Sequence, residues 1–436
     1  MNVTSNKSTL DFLSESEIAT YQFEQLKILI SYLQKNSKHY QKLFNANKIT
    51  IDQIKSFKDL SKIPTSGKED LSDNPTDFLC VDKSKIAEYT TTSGSMSAPA
   101  SVFLTRNDIE RLAMNEAKSM LIAGCSSNDI FQLATTMDKR FMAGLAYCEG
   151  VRKLGAGLIR VGASAPALQW DSILRFQPSV LIAIPSFVLT LIDYAKLNGI
   201  DIQKSSIKKL IAIGQPIRTK NFELNNLGKK IKEEWGIEIF STYASTEMAA
   251  AFTECFHGSG GHLQPDLIYV EVLDENDKNV ENGEQGEIVI STLGVEAMPL
   301  LRYRTGDIAS VYRDTCGCGR NTLRIGPIIG RKNHVIKYNG TTVHPSSLIP
   351  LLDAHNDCNL YCIELSTDEL GLDMLTILFA KEQISNDRVI QVVSDLGDML
   401  KVKPLFRLVD LTKLQAIVLD PSSRKPIKIL DLRKVF

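Results

Sequence analysis

No hydrophobic run in this 436-residue sequence has the length a bilayer-spanning helix needs: the longest, "SVLIAIPSFVLTLI", is short and broken by Pro185. The opening "MNVTSNKSTLDF" lacks the apolar stretch of a signal peptide, so neither a membrane span nor secretion is expected. An excess of one charge is missing too. Lys and Arg total 50 against 51 Asp and Glu, a net charge of -1, which removes the electrostatic footprint of a nucleic-acid-binding protein. Cysteine is sparse and scattered, eight in all, and outside a secretory context this reads as reduced thiols in a cytoplasmic protein rather than a disulfide framework. Internal repeats and low-complexity tracts are absent. Also absent is the Gly-Lys-Ser/Thr of a Walker loop, although "TTTSGSMSAPAS", Thr90 to Ser101, is rich in hydroxyls around Gly94.

What is present is ordinary globular material, 43% apolar and 23% charged, and the length predicts more than one domain. Residues 1–80 read as a helical lead-in, with the amphipathic "SEIATYQFEQLKILISYLQKNSKHYQKLF" followed by a polar connector. From there to residue 330 a large domain is expected. Short β-prone runs ("DIFQLAT", "VLIAIPS", "KKLIAIG") alternate with helical ones ("NDIERLAMNEAKSMLIAG", "GLAYCEGVRKLG", "FVLTLIDYAKLNG") to about Gly236, the rhythm of parallel α/β layers. About residues 265–330 the pattern becomes β-rich, as in "LIYVEVLDENDKNVENGEQGEIVIST". Residues 331–436 suit a small, separate α+β C-terminal domain.

Taken alone, the hydroxyl-rich loop is either a phosphate cradle or a polar turn before the strand "SVFLT". Four further segments follow it in order: "TYASTE" (Thr242 to Glu247), "GEQGEIVISTLGVEAMPLLRYRTGDIA", "GRKNHVIKYNG" from Gly330 and "DPSSRKPIKILDLR" from Asp420. This ordered set resembles the adenylate-forming superfamily of acyl-CoA synthetases, and within it the phenylacetate-CoA ligase family. The resemblance implies an α/β fold with a large N-terminal adenylate-forming domain carrying a β-rich subdomain, and a small mobile C-terminal domain. It also implies ATP-dependent joining of a carboxylic acid, an aryl or arylacetic one, to AMP, followed by transfer to coenzyme A. Splitting one difficult step into two suits a carboxylate, which is a poor electrophile.

By the same resemblance, Ser93, Gly94 and Ser95 form the phosphate loop; Gly214, Gln215 and Pro216 pack on the adenine; Thr242, Tyr243 and Ala244 line its pocket. Thr246 and Glu247 belong to the catalytic set, with Glu247 holding Mg²⁺, and Asp307 takes the ribose hydroxyls with Arg331 beside the ribose or α-phosphate. Lys425 is the catalytic lysine, Lys428 being the competing assignment, and Phe141, Gly144, Gly214 and Ala244 line the acid pocket. Without the resemblance, Tyr243 reads as a half-buried aromatic and Glu247 as a glutamate at a helix start. A homodimer is implied by the family alone.

Cys255 and His262 in "ECFHGSGGH", with Cys316 and Cys318 in "DTCGCGRN", make a Cys₃His set suited to structural zinc, with His257 as the alternative to His262. The family pattern is also broken in places. Ala98 stands at the phosphate-loop lysine, Ser97 at a glycine, Asn333 and His334 at the acidic hinge pair, Arg424 at the glycine before Lys425, and Gln215 at a glutamate. A hydrogen bond to a charged group contributes about 1.5–3 kcal/mol, so Ala98 weakens the triphosphate grip by about one to two orders of magnitude unless another cation substitutes. Three other readings stay open: an adenylating enzyme loading an acyl-carrier protein, a non-catalytic nucleotide or acyl-ligand binder, and a zinc-stabilised interaction protein.

Overall fold

The structure is a computed structural model, and it describes the chain except residues 1–8, 93–99, 333–335, 339–340, 344, 356–359, 368–372, 401–402, 421–422, 424–425 and 434–436. The described chain opens with helices α1 (Glu15–Asn36), α2 (Lys38–Ala46) and α3 (Lys68–Asp73) and a ribbon of β1 (Glu88–Thr91) and β2 (Ser101–Leu104). A Ser14–Glu17 capping box starts α1, which buries Ile18, Leu26, Leu29, Ile30 and Leu33. There follow α4 (Arg106–Ile122), β3 (Ile130–Ala134), α5 (Met142–Leu154), β4 (Gly157–Arg160), α6 (Pro166–Phe176), β5 (Val180–Ala183), α7 (Pro185–Leu197), β6 (Lys209–Ile213), α8 (Asn226–Trp235) and β7 (Glu238–Ser245).

Strands β4, β3, β5, β6 and β7 lie side by side in that order, all parallel. Their near-continuous apolar sequence follows from helices on both faces. One face packs Trp170, Val188, Leu191, Ile231 and Trp235 from α6, α7 and α8, the two indoles stacked at 5.3 Å. The other packs Ala117, Met120, Tyr147 and Val151 from α4 and α5. Chain order along the sheet reverses at β3, and at such a switch point the carboxyl ends of the strands leave a crevice.

Beyond β7 the sheet turns antiparallel and runs through β8 (Ala250–Glu254), β9 (Gly261–His262), β13 (Arg324–Ile325), β12 (Tyr303–Tyr312), β11 (Gln285–Thr292) and β10 (Ile268–Leu273). This is the expected meander. Arg302, from the "RYRTGD" segment, is buried here in a two-pronged pair with Glu271, at 2.9 and 3.1 Å, and donates to the Ile63 carbonyl at 2.6 Å. That arginine is committed to the core.

The chain divides into two compact units, the first reaching Ile328 apart from Gly306–Ile308, the second made of Gly306–Ile308 and Ile329 onward. The second unit contains β14 (Gly330–Arg331), paired with β12 at Asp307 and Ile308, and a hairpin of β15 (Ile336–Tyr338) and β16 (Thr341–Val343). After α9 (Leu348–Asp353) come β17 (Tyr361–Thr367), β18 (Asp373–Ala380), α10 (Asn386–Leu400), β19 (Leu405–Val409), α11 (Leu411–Val418) and β20 (Ile429–Asp431). Its four-stranded sheet, ordered β19-β18-β17-β20, has its own core around Leu365, Leu375, Ile377, Phe379, Val389 and Leu396. Among the described residues no helix is long and apolar enough to cross a membrane, and seven described cysteines form no disulfide.

Candidate functional site

The first unit gathers most of the expected residues at the carboxyl edge of its parallel strands. β6 ends at Ile213, and Gly214 turns the chain there at φ 73°, a conformation that suits glycine. The Gln215 carboxamide oxygen then accepts from the Ser186 N–H at 2.9 Å, satisfying an open donor in the first turn of α7. The Pro216 carbonyl accepts from Asn225 at 3.0 Å, and Asn225 caps α8. The segment after β6 is thus pinned to two helix starts.

On β7, Thr242 faces β6 at Ile213 and β8 at Thr253, and its buried hydroxyl lies 3.1 Å from that of Thr253. Tyr243, half-buried, stacks on Phe252 with ring centroids 5.8 Å apart, and Ala244 is exposed. Thr246 and Glu247 lie in the turn between β7 and β8, so the alternative of a helix-start glutamate does not hold. Among the described residues the Glu247 carboxylate makes no hydrogen bond or ion pair.

Phe141 caps the start of α5, which follows the carboxyl end of β3. Gly144, in the first turn of that helix, lies so close to the Thr136 carbonyl that a Cβ would collide with it. Phe141, Gly144, Gly214 and Ala244 therefore share one edge of the sheet.

In the second unit Asp307 and Arg331 face each other across β12 and β14, Arg331 Nε donating to Asp307 at 3.0 Å with Asp307 6% exposed. Lys428, the competing catalytic assignment, is engaged elsewhere: its ammonium lies 2.6 Å from Asp353, 3.0 Å from the Tyr361 hydroxyl and over the Tyr361 ring. Ser93, Gly94, Ser95, Ala98, Asn333, His334, Arg424 and Lys425 lie outside the described residues.

The structure brings Cys255, His262, Cys316 and Cys318 together, their ligand atoms all within 4.8 Å of one another. Cys255 follows β8, His262 is on β9, and the other two lie in the turn between β12 and β13. Cys255 Sγ is 3.7 Å from Cys316 Sγ, and Cys318 Sγ is 3.6 Å from His262 Nε2. A tetrahedron with Zn–S about 2.3 Å and Zn–N about 2.0–2.1 Å has edges of about 3.7–3.8 Å between sulfurs and about 3.5–3.6 Å from sulfur to nitrogen, so the donor set fits zinc. His262 Nδ1 lies 3.0 Å from Thr322 Oγ1, an outer partner that fixes ring and tautomer. Burial pushes the Cys255 thiol up to about 12, whereas for Cys318 burial is outweighed by hydrogen bonds with His262 and Arg320 and the thiol falls to about 7. His257 is not in this cluster; its ring lies against Gly317.

Sequence reasoning missed Arg111 and Asn115, buried polar residues of α4 that bond to the main chain beside Glu247. With Asp108 and Ser119 they recur at helical spacing among Leu112, Ala113, Ala117 and Met120, a pattern that on its own reads as a solvent face.

Comparison with known proteins identifies the family and the fold. The AMP-binding enzyme family matches residues 19–297. A phenylacetate-coenzyme A ligase of Aromatoleum evansii is 29% identical over 370 residues, 84% of this chain and 82% of the relative. One from Escherichia coli (strain K12) is 28% identical over 345 residues, 78% and 77% of the two chains. Among solved structures, a 2-hydroxyisobutyryl-CoA ligase in complex with 2-HIB-AMP superposes with a TM-score of 0.81 at 20% identity, covering 97% of this chain and 91% of that one. ATP-bound MatB from Rhodopseudomonas palustris gives 0.59 at 17% identity over 76% and 66%. This chain belongs to the AMP-binding enzyme family and stands within it beside the phenylacetate-coenzyme A ligases.

Proposed function

We propose that the protein activates a carboxylic acid, aryl or arylacetic in class, with ATP and then passes the acyl group to coenzyme A. The carboxylate oxygen attacks the α-phosphorus of ATP, the bond to the β-phosphate breaks and pyrophosphate leaves; the coenzyme A thiol then displaces AMP from the acyl carbon. The observation that carries this reading is the placement of Gly214–Pro216, Thr242–Ala244 and Glu247, which has no partner among the described residues, at the carboxyl edge of the parallel sheet. In it, Tyr243 lies against adenine, Glu247 holds Mg²⁺, Asp307 and Arg331 take the ribose and α-phosphate, and Lys425 neutralises charge as the carboxylate attacks. Lys428 is left with a structural duty in its ion pair with Asp353.

A panel of carboxylic acids scored by pyrophosphate release, with and without coenzyme A, tests this. Release that needs an arylacetic or aryl acid, with thioester only when coenzyme A is added, is expected, and Lys425→Ala should lower adenylation at least 100-fold. Acyl transfer to a carrier protein alone would replace coenzyme A as acceptor. Thermal stabilisation by ATP with no release for any acid would make the chain a binder.

The Cys₃His cluster is read as a structural zinc site. Four protein ligands leave no position for water, and the ion would tie β8, β9 and the β12–β13 turn together. Metal analysis should find one zinc per chain, and Cys316→Ser should abolish it and lower the melting temperature; a metal-free, equally stable wild type would refute the site. The reduced thiols fit a cytoplasmic location, the second unit is taken as the mobile C-terminal domain, and light scattering would test the homodimer.

A further inference from the structure

The loop joining β7 to β8 has four residues, Thr246–Ala249, closed by the Ala249 N–H on the Thr246 carbonyl at 3.3 Å. Its last residue sits at φ 44°, a left-handed conformation that alanine rarely adopts. Glu247 stands inside this loop, two residues before the strained position.

The loop is held from α4. Arg111 donates from Nη1 to the Ala249 carbonyl at 2.7 Å, from Nε to the Leu293 carbonyl at 2.7 Å, and from Nη2 to the Leu267 carbonyl. One turn later the Asn115 side-chain oxygen accepts from the Ala251 N–H at 2.8 Å. Arg111 is 8% exposed and Asn115 fully buried. Burial draws the guanidinium down to about 10, so it stays charged at neutral pH. Replacing a buried charged group by a well-packed apolar one is often neutral or stabilising, so core stability alone does not call for an arginine there. Here the planar fork joins three main-chain segments, and the left-handed residue supplies one of the carbonyls it holds.

We propose that Arg111 is a positioning residue for the metal–triphosphate end of the site: it keeps the β7–β8 loop in the left-handed closure that presents Glu247 to Mg²⁺. The proposal rests on the reading of Glu247 as a Mg²⁺ ligand, and the test separates the two.

The probe is Mg²⁺ titrated into the full-length protein with ATP present, followed by displacement of a fluorescent ATP analogue, for wild type, Arg111→Lys, Arg111→Lys/Ala249→Gly and Glu247→Gln. Lysine keeps the charge but offers no fork. Arg111→Lys should raise the half-saturating Mg²⁺ concentration at least fivefold, with ATP affinity in chelator changed less than twofold. Ala249→Gly in that background should recover at least half of the loss, because glycine adopts the left-handed closure unaided. A role confined to the core would lower the melting temperature and leave the Mg²⁺ requirement where it was, and that result with Glu247→Gln shifted would overturn the proposal. No shift in Glu247→Gln would overturn the reading of Glu247 itself.

Discussion

Glu116 is a carboxyl group in the wrong place for a charge. It lies on α4, wholly buried beside Tyr147 and the Cα of Gly150, with one oxygen that finds no partner among the described residues. Burial raises it from the usual carboxylate range to about 8. A folded-state pKa above the unfolded one means that the native state binds the extra proton between the two values, so this group's contribution is complete below the unfolded value of about 4.3 and is lost as pH rises towards 8. Glu116→Gln keeps the shape of the neutral acid without its titration. The variant should melt several degrees above wild type at pH 8 and match it near pH 4, where the carboxyl is largely protonated in both states. Equal melting curves for the two proteins at pH 8 would show that the carboxyl is solvated.

At the scale of elements, the sheet explains why the metal-ligand set was legible and why His262, rather than the alternative His257, completes it. Cysteine spacing marked both loops, but two histidines were within reach of Cys255, and only the pairing of β9 between β8 and β13 puts His262 among the thiols. Gly261 makes that pairing possible, since a Cβ there would fall on the Phe252 carbonyl. Gly261→Ala should therefore cost about 1–3 kcal/mol through overpacking and lower the zinc content as His262 moves with its strand, as thermal unfolding and metal analysis would show. The parallel strands and the meander were readable because burial on two faces leaves a continuous apolar run and burial on one face leaves an alternation. The polar stripe of α4 was not. Asp108, Arg111, Asn115 and Ser119 look like a solvent face, yet Asp108 accepts from Glu296 and Ala297 at 2.7 and 3.0 Å, and Arg111 serves three loops. Period alone does not distinguish water from main-chain groups of distant segments.

At the scale of the whole molecule, the two units have separate cores, so a single unfolding free energy does not describe the chain. The second unit, about 100 residues, should unfold with about one third of the enthalpy of the first, because unfolding enthalpy scales with chain length. The chain's two tryptophans, Trp170 and Trp235, stack on each other inside the first unit. Tryptophan fluorescence therefore follows that unit alone, whereas far-ultraviolet circular dichroism follows both. Ile377 is fully buried in the second core, and truncating it removes packing that β15, β17 and α10 share. Ile377→Ala should cost about 2–5 kcal/mol. At about 4–8 °C per kcal/mol for a domain of this size, it should move one phase of the dichroism melt downward by about 8 °C or more while the fluorescence transition stays within about a degree of wild type. If both signals fell together, the two cores would unfold as one cooperative unit.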